Sequence, residues 1–130
     1  MKAILTACIC ACLCVMAFGH HSMAGFDRNK TVNLTGVVKQ FKWANPHSWI
    51  EMDVPNDKGG VDTWNVEMTS PAVLIRAGWK STIIKPGDKV TVACHPQQTG
   101  EPGGIFVSLT LPDGTVMTDR PAGAAAAAKQ

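Results

Sequence analysis

Apolar and polar residues alternate with a period of two through the middle of this chain, the mark of strands with one buried face. "HSWIEMDV" (47–54) places Ser48, Ile50, Met52 and Val54 on one side and His47, Trp49, Glu51 and Asp53 on the other. "VDTWNVEM" (61–68) repeats the pattern, with Trp64, Val66 and Met68 opposed to Thr63, Asn65 and Glu67. "PNDKGG" between them is a turn signal, so the two segments form a hairpin. Upstream, "TVNLTGVVKQFKW" (31–43) is rich in β-branched residues, with Gly36 as the expected bend or bulge, and "ANP" ends it. Downstream, "KPGDKVTVACHP" (85–96) carries a turn at Pro86-Gly87 and a strand with Val90, Val92 and Cys94 inward and Thr91, Ala93 and His95 outward. "GGIFVSLTLPDG" (103–114) supplies a fifth strand and a terminal turn, with room for a short addition at "TVM".

The period changes once. In "SPAVLIRAG" (70–78), Ser70 can cap a helix, Pro71 suits its first turn and Gly78 can close it. The order β-β-β-α-β-β predicts an all-β fold: a small five-stranded OB-like Greek-key barrel with one short helix between strands 3 and 4, since closure removes exposed sheet edges. An open five-stranded sandwich is the alternative.

Before the strands, Lys2 precedes an uncharged apolar run from Ala3 to Phe18, shorter than the ~20 residues of a membrane span. The run reads as a secretory signal peptide over residues 1–19, cut between Gly19 and His20, with a second possible cut before Phe18. Lipidation at Cys8 is disfavoured because only seven residues precede it. Four of the five cysteines leave with that segment, and Cys94 stays alone in an oxidising compartment, periplasmic or secreted, as a small core residue. The barrel domain is expected over 20–118, followed by a low-complexity, disordered tail over 119–130 that ends in "PAGAAAAAKQ". Twelve Lys and Arg, less Lys2, stand against ten Asp and Glu, a near-neutral balance that argues against nucleic acid as partner.

"HHS" at the mature start, "NPHSW", "WNVE", "RAGW", "PGDKV" and "HP" together resemble a family of small exported bacterial proteins that carry a domain of unknown function. The resemblance spans nearly all of residues 20–118. It implies export and a single small β domain, and no substrate.

Chemistry must then come from the residues. Cleavage before His20 creates an α-amino group beside an imidazole, a chelate suited to square-planar Cu(II), and His21 adds a second imidazole. In an OB barrel the first and fourth strands pair antiparallel, which brings His95 near the start of the first strand. The leading expectation is therefore a copper-binding protein using His20, His21 and His95. His47, at the far end of the long first strand, is the weaker candidate ligand. Zinc is disfavoured by the lack of paired Cys/His spacing.

The competing expectation is a cell-envelope glycan or protein interaction module. The outward rows of the second and third strands share the face on which OB folds bind oligomers, and Trp49, Glu51, Asn65 and Glu67 would stack and hydrogen-bond a sugar there. Trp43 would join that patch, Trp64 reads as core, and Trp79 packs after the helix. Glu51 and Glu67 could form a carboxylate pair, but no predicted cleft, nucleophile motif, phosphate loop or dinucleotide fingerprint supports an enzyme.

Overall fold

The structure is a computed structural model that describes residues 25–120. Six strands and one helix follow in the order β1 (Val32–Lys42), β2 (Trp49–Pro55), β3 (Val61–Glu67), α1 (Pro71–Arg76), β4 (Lys89–Pro96), β5 (Gly103–Thr110) and β6 (Val116–Thr118). The sheet order is β3-β2-β1-β4-β5-β6, and a parallel pairing of β3 with β5 closes the first five strands into an OB-like Greek-key barrel. Closure leaves no edge on those five strands at the joint, as the pattern predicts. β6 is the short addition, paired antiparallel with Ser108–Thr110.

The alternation read from β2 and β3 holds, and on β4 it holds except at Ala93, which was expected outward and is buried. Ile50, Met52, Val66, Val92, Cys94 and Leu109 are fully buried and meet Leu34, Val38, Leu74, Trp79 and Phe106 in one core. Between β2 and β3, Asn56 Oδ1 accepts the backbone N–H groups of Lys58 (3.1 Å) and Gly60 (2.9 Å), and Gly59 takes φ 80°, so the turn chemistry sets the hairpin register.

β1 serves two partners. Residues 32–37 pair with β4 and residues 37–42 with β2. Gly36 sits at this crossing, where an added Cβ would lie 2.2 Å from the Asp53 carbonyl oxygen. Only glycine lets β2 approach so closely. The bulge expected at Gly36 lies instead at Lys39, where the register jumps from Val38↔Met52 to Gln40↔Glu51. The turn before β4 anchors it: Val38 N–H donates to the Asp88 carbonyl (2.9 Å), and Gly87 N–H donates to the Val38 carbonyl (2.8 Å).

α1 begins with Pro71 in its first turn, but Ser70 makes no side-chain capping bond, contrary to expectation. Its C-terminus follows the pattern closely. Gly78 N–H donates to Ile75 and Trp79 N–H to Leu74 (both 3.0 Å), with Gly78 at φ 90°, the paired bonds of a Schellman motif. That turn delivers Trp79 into the core, where its indole N–H donates to the Thr118 carbonyl at 2.8 Å and ties β6 to the barrel.

Candidate functional site

A bulge adds one residue to a strand and therefore exchanges its two faces. Before Lys39, the inward residues of β1 are Leu34, Gly36 and Val38; after it, the half-buried Phe41 and Trp43 pack against the core, and Gln40 and Lys42 are exposed. The registers then set six outward side chains in two rows: Gln40–Glu51–Asn65 and Lys42–Trp49–Glu67, each running across β1, β2 and β3. Gln40, Lys42, Trp49, Glu51 and Asn65 line an open pocket of about 240 Å³.

The charges on this face are unequally matched. Glu51 lies 3.2 Å from the Lys39 ammonium, which is also 3.8 Å from Asp53. Asp53 accepts the Thr63 hydroxyl at 2.6 Å. The Glu67 carboxylate contacts His47 Nδ1. Lys42 forms no ion pair among the described residues, although it stands directly opposite Trp49 in the register. Glu51 and Glu67 are diagonal neighbours on adjacent strands, which spaces them about 7–8 Å apart.

Of the sequence-derived site residues, Trp49, Glu51 and Asn65 line this pocket together, and Glu67, next to Trp49 in the register, lines a separate pocket with His47. Gln40 and Lys42 were missed, and the reason is the bulge: uninterrupted alternation from Val38 turns both of them inward. The same reading turns Trp43 outward into the patch. In the structure Trp43 packs toward the core, edge-to-face with Phe41 at a centroid distance of 5.5 Å. Trp64 is half-buried against the core, and Trp79 is fully packed. The signal for the bulge is in the sequence, since the apolar Phe41 and Trp43 fall out of phase with Leu34 and Val38.

His47 is not remote from the rest of the site, because the parallel closure brings the end of β3 around to β5. Glu67 pairs with Ile105, and Ile105 pairs with His95, so His95, Ile105, Glu67 and Trp49 form one continuous row. Two inter-strand steps, about 10 Å, separate the backbones of His95 and Glu67. His95 lies near the start of β1, as expected, with its Nδ1–H donating to the Lys30 carbonyl at 2.8 Å. A carbonyl only accepts, so Nδ1 carries a proton, and in the neutral tautomer this fixes, the lone pair is on Nε2. His20 and His21 lie outside the described residues. Among the described residues, no group of three or more His, Cys, Asp or Glu side chains is placed to hold a metal ion. Burial pushes the Cys94 thiol up to about 11, so it stays protonated at neutral pH and is neither nucleophile nor ready ligand. No helix among the described residues is long and apolar enough to cross a membrane.

Barrel topology and outer face together define a class: a small OB-like barrel with a polar face built around one tryptophan. Within that class, the chain belongs to a family of unknown function (DUF6152), whose profile matches residues 8–106. The matched span reaches from before β1 to Phe106 in β5, and includes all six face residues, His47 and His95. No curated protein matches the chain.

Proposed function

We propose that this is an exported binding protein, periplasmic or secreted, that recognises a cell-envelope glycan on the outer face of β1, β2 and β3. The observation that carries this reading is the two-by-three arrangement of Gln40, Glu51, Asn65, Lys42, Trp49 and Glu67 across β1, β2 and β3, the first five of which line the pocket. Trp49 offers a flat apolar surface to the C–H face of a pyranose, and a sugar ring presents just such a surface. Gln40 and Asn65, each carrying both a donor and an acceptor, flank the Glu51 carboxylate and together match vicinal hydroxyls. A protein surface could dock here, but a row of amide, carboxylate, amide beside one aromatic ring fits hydroxyl recognition better than the apolar centre of a protein interface. Titration of the full chain with cell-wall oligosaccharides, followed by tryptophan fluorescence, tests the reading. Saturable quenching that Trp49→Ala abolishes supports it; quenching unchanged in that variant removes it.

A second reading, a copper-binding protein, is favoured by one observation. The His95 tautomer is fixed by the Lys30 carbonyl, an outer-shell contact of the kind that orients metal-ligating histidines. Gly25 lies beside Gln98, three positions beyond His95, and His21 is four residues from Gly25, a reach of up to ~14 Å. Mass spectrometry of the exported product, then copper titration with and without His20 and His21, tests it. Tight binding lost on their deletion supports this reading, and equally weak binding in both proteins removes it.

A further inference from the structure

We infer that the ligand of this face is an acidic saccharide, a pyranose bearing a ring carboxylate such as a uronic acid, seated on Trp49 with its carboxylate toward Lys42. The inference rests on the glycan reading above and adds the charge and the orientation.

Each carboxylate on or beside the face has a partner: Glu51 the Lys39 ammonium, Asp53 the Thr63 hydroxyl, and Glu67 the His47 imidazole. The ammonium of Lys42 has no ion pair among the described residues. Of the two charged residues that line the pocket, Glu51 has the Lys39 ammonium as counter-ion and Lys42 has none, so the one unanswered charge of the lining is positive. Its position is defined by the register, since Lys42 stands directly across from Trp49, where facing side chains start about 4.5–5.5 Å apart. A carboxylate projecting from a ring stacked on the indole reaches that ammonium, while ring hydroxyls point back over Gln40, Glu51 and Asn65.

At the opposite end of the same row, Glu67 and His47 face whatever lies beyond Trp49 on the β3 side. A carboxylate turned that way would meet Glu67, and one turned toward Lys42 meets only the cation. The row is thus polar in a single direction, which orients the ring. A polyphosphate backbone fits poorly for the same reason. Its successive charges cannot all sit at Lys42, and the rest would fall against Glu51 and Glu67.

The test uses the full chain, a uronic-acid trimer and the same trimer with its carboxylates methyl-esterified, which removes charge and keeps the rings. Charge-assisted hydrogen bonds are the strong ones, so the acid is expected to bind about tenfold more tightly than the ester. Lys42→Gln is expected to bring the acid down to the affinity of the ester, a loss several-fold larger than any it causes the ester. Added salt is expected to weaken only the acid. Equal binding of acid and ester by the wild-type chain, or equal losses for both in Lys42→Gln, overturns the charge assignment and leaves the glycan face standing. If neither trimer binds, and Trp49→Ala behaves as wild type toward neutral oligosaccharides as well, the glycan reading itself falls with it.

Discussion

Before Lys39, β1 pairs with β4 over residues 32–37 and meets β2 at Val37 and Val38, points Leu34 and Val38 into the core and contributes nothing to the ligand face; after it, the same strand pairs with β2 alone and exposes Gln40 and Lys42 at the pocket. Both halves turn apolar residues to the core, so the difference between them is not composition but phase. One inserted residue lets Phe41 and Trp43 stay against the core while two polar side chains join the outer face. In this barrel the binding face and the core are specified by the same register, and the bulge is where the two requirements are reconciled.

Inserting an alanine between Lys39 and Gln40 breaks the comparison most severely. With a single bulged residue retained, the added position drives Gln40 and Lys42 inward and Phe41 outward, which buries a cation without a partner and strips an aromatic from the core. A loss of at least about 3 kcal/mol is expected, a large part of the stability of a domain this size. Urea unfolding measures it, and an insertion variant with an unchanged midpoint would show that the strand slips freely and that phase does not set the face.

Gly36→Ala strikes the other half. A Cβ there would lie 2.2 Å from the Asp53 carbonyl oxygen and 3.2 Å from Met52 Cε. The backbone oxygen cannot swing aside as a side chain can, so β2 must move away from β1, at about 2 kcal/mol. The loss is expected in stability, with affinity for glycan little changed in the folded fraction, because the pocket lies on the far side of the bulge. A variant with full stability and impaired binding would reverse the division of labour drawn between the two halves.

How much of this was legible follows the same line. β2 and β3 pair without a register shift, and the shift between Ala93 and Cys94 on the β4–β5 ladder leaves its unpaired residue, Val107, on β5, so Ile50, Met52, Val66, Val92 and Cys94 announce the core by simple alternation. Gly78 announced the helix end, because few other residues adopt a positive φ. Ser70 looked like a cap yet its side chain makes no such bond, since many residues can precede a helix whose first turn holds proline. Trp49, Glu51 and Asn65 were found because their face follows from two unbroken strands. Gln40 and Lys42 were not, because a bulge without glycine has no signature residue and shows only as a slip in phase. The contact between His47 and Glu67 depends on which residue of β2 faces which of β3, and the row onward to His95 on the parallel closure. Registers between strands are set by turns and packing together, not by either strand's own pattern.

Lys39→Ala gives the smallest effect and sharpens the point most. The bulge is a backbone feature, held from the β4 side by the Val38, Gly87 and Asp88 main chain rather than by the lysine side chain. What the side chain adds is its pairing with Glu51 at 3.2 Å and Asp53 at 3.8 Å, both partly exposed, and such pairs contribute no more than about 0.5 kcal/mol. Alanine keeps the residue count and therefore the phase, so Gln40 and Lys42 stay outward. Adding a residue after Lys39 and removing only its side chain should accordingly differ several-fold in the same urea experiment. Were the two to cost the same, the ion pairs and not the residue count would hold the strand in register, and the face would owe its existence to electrostatics.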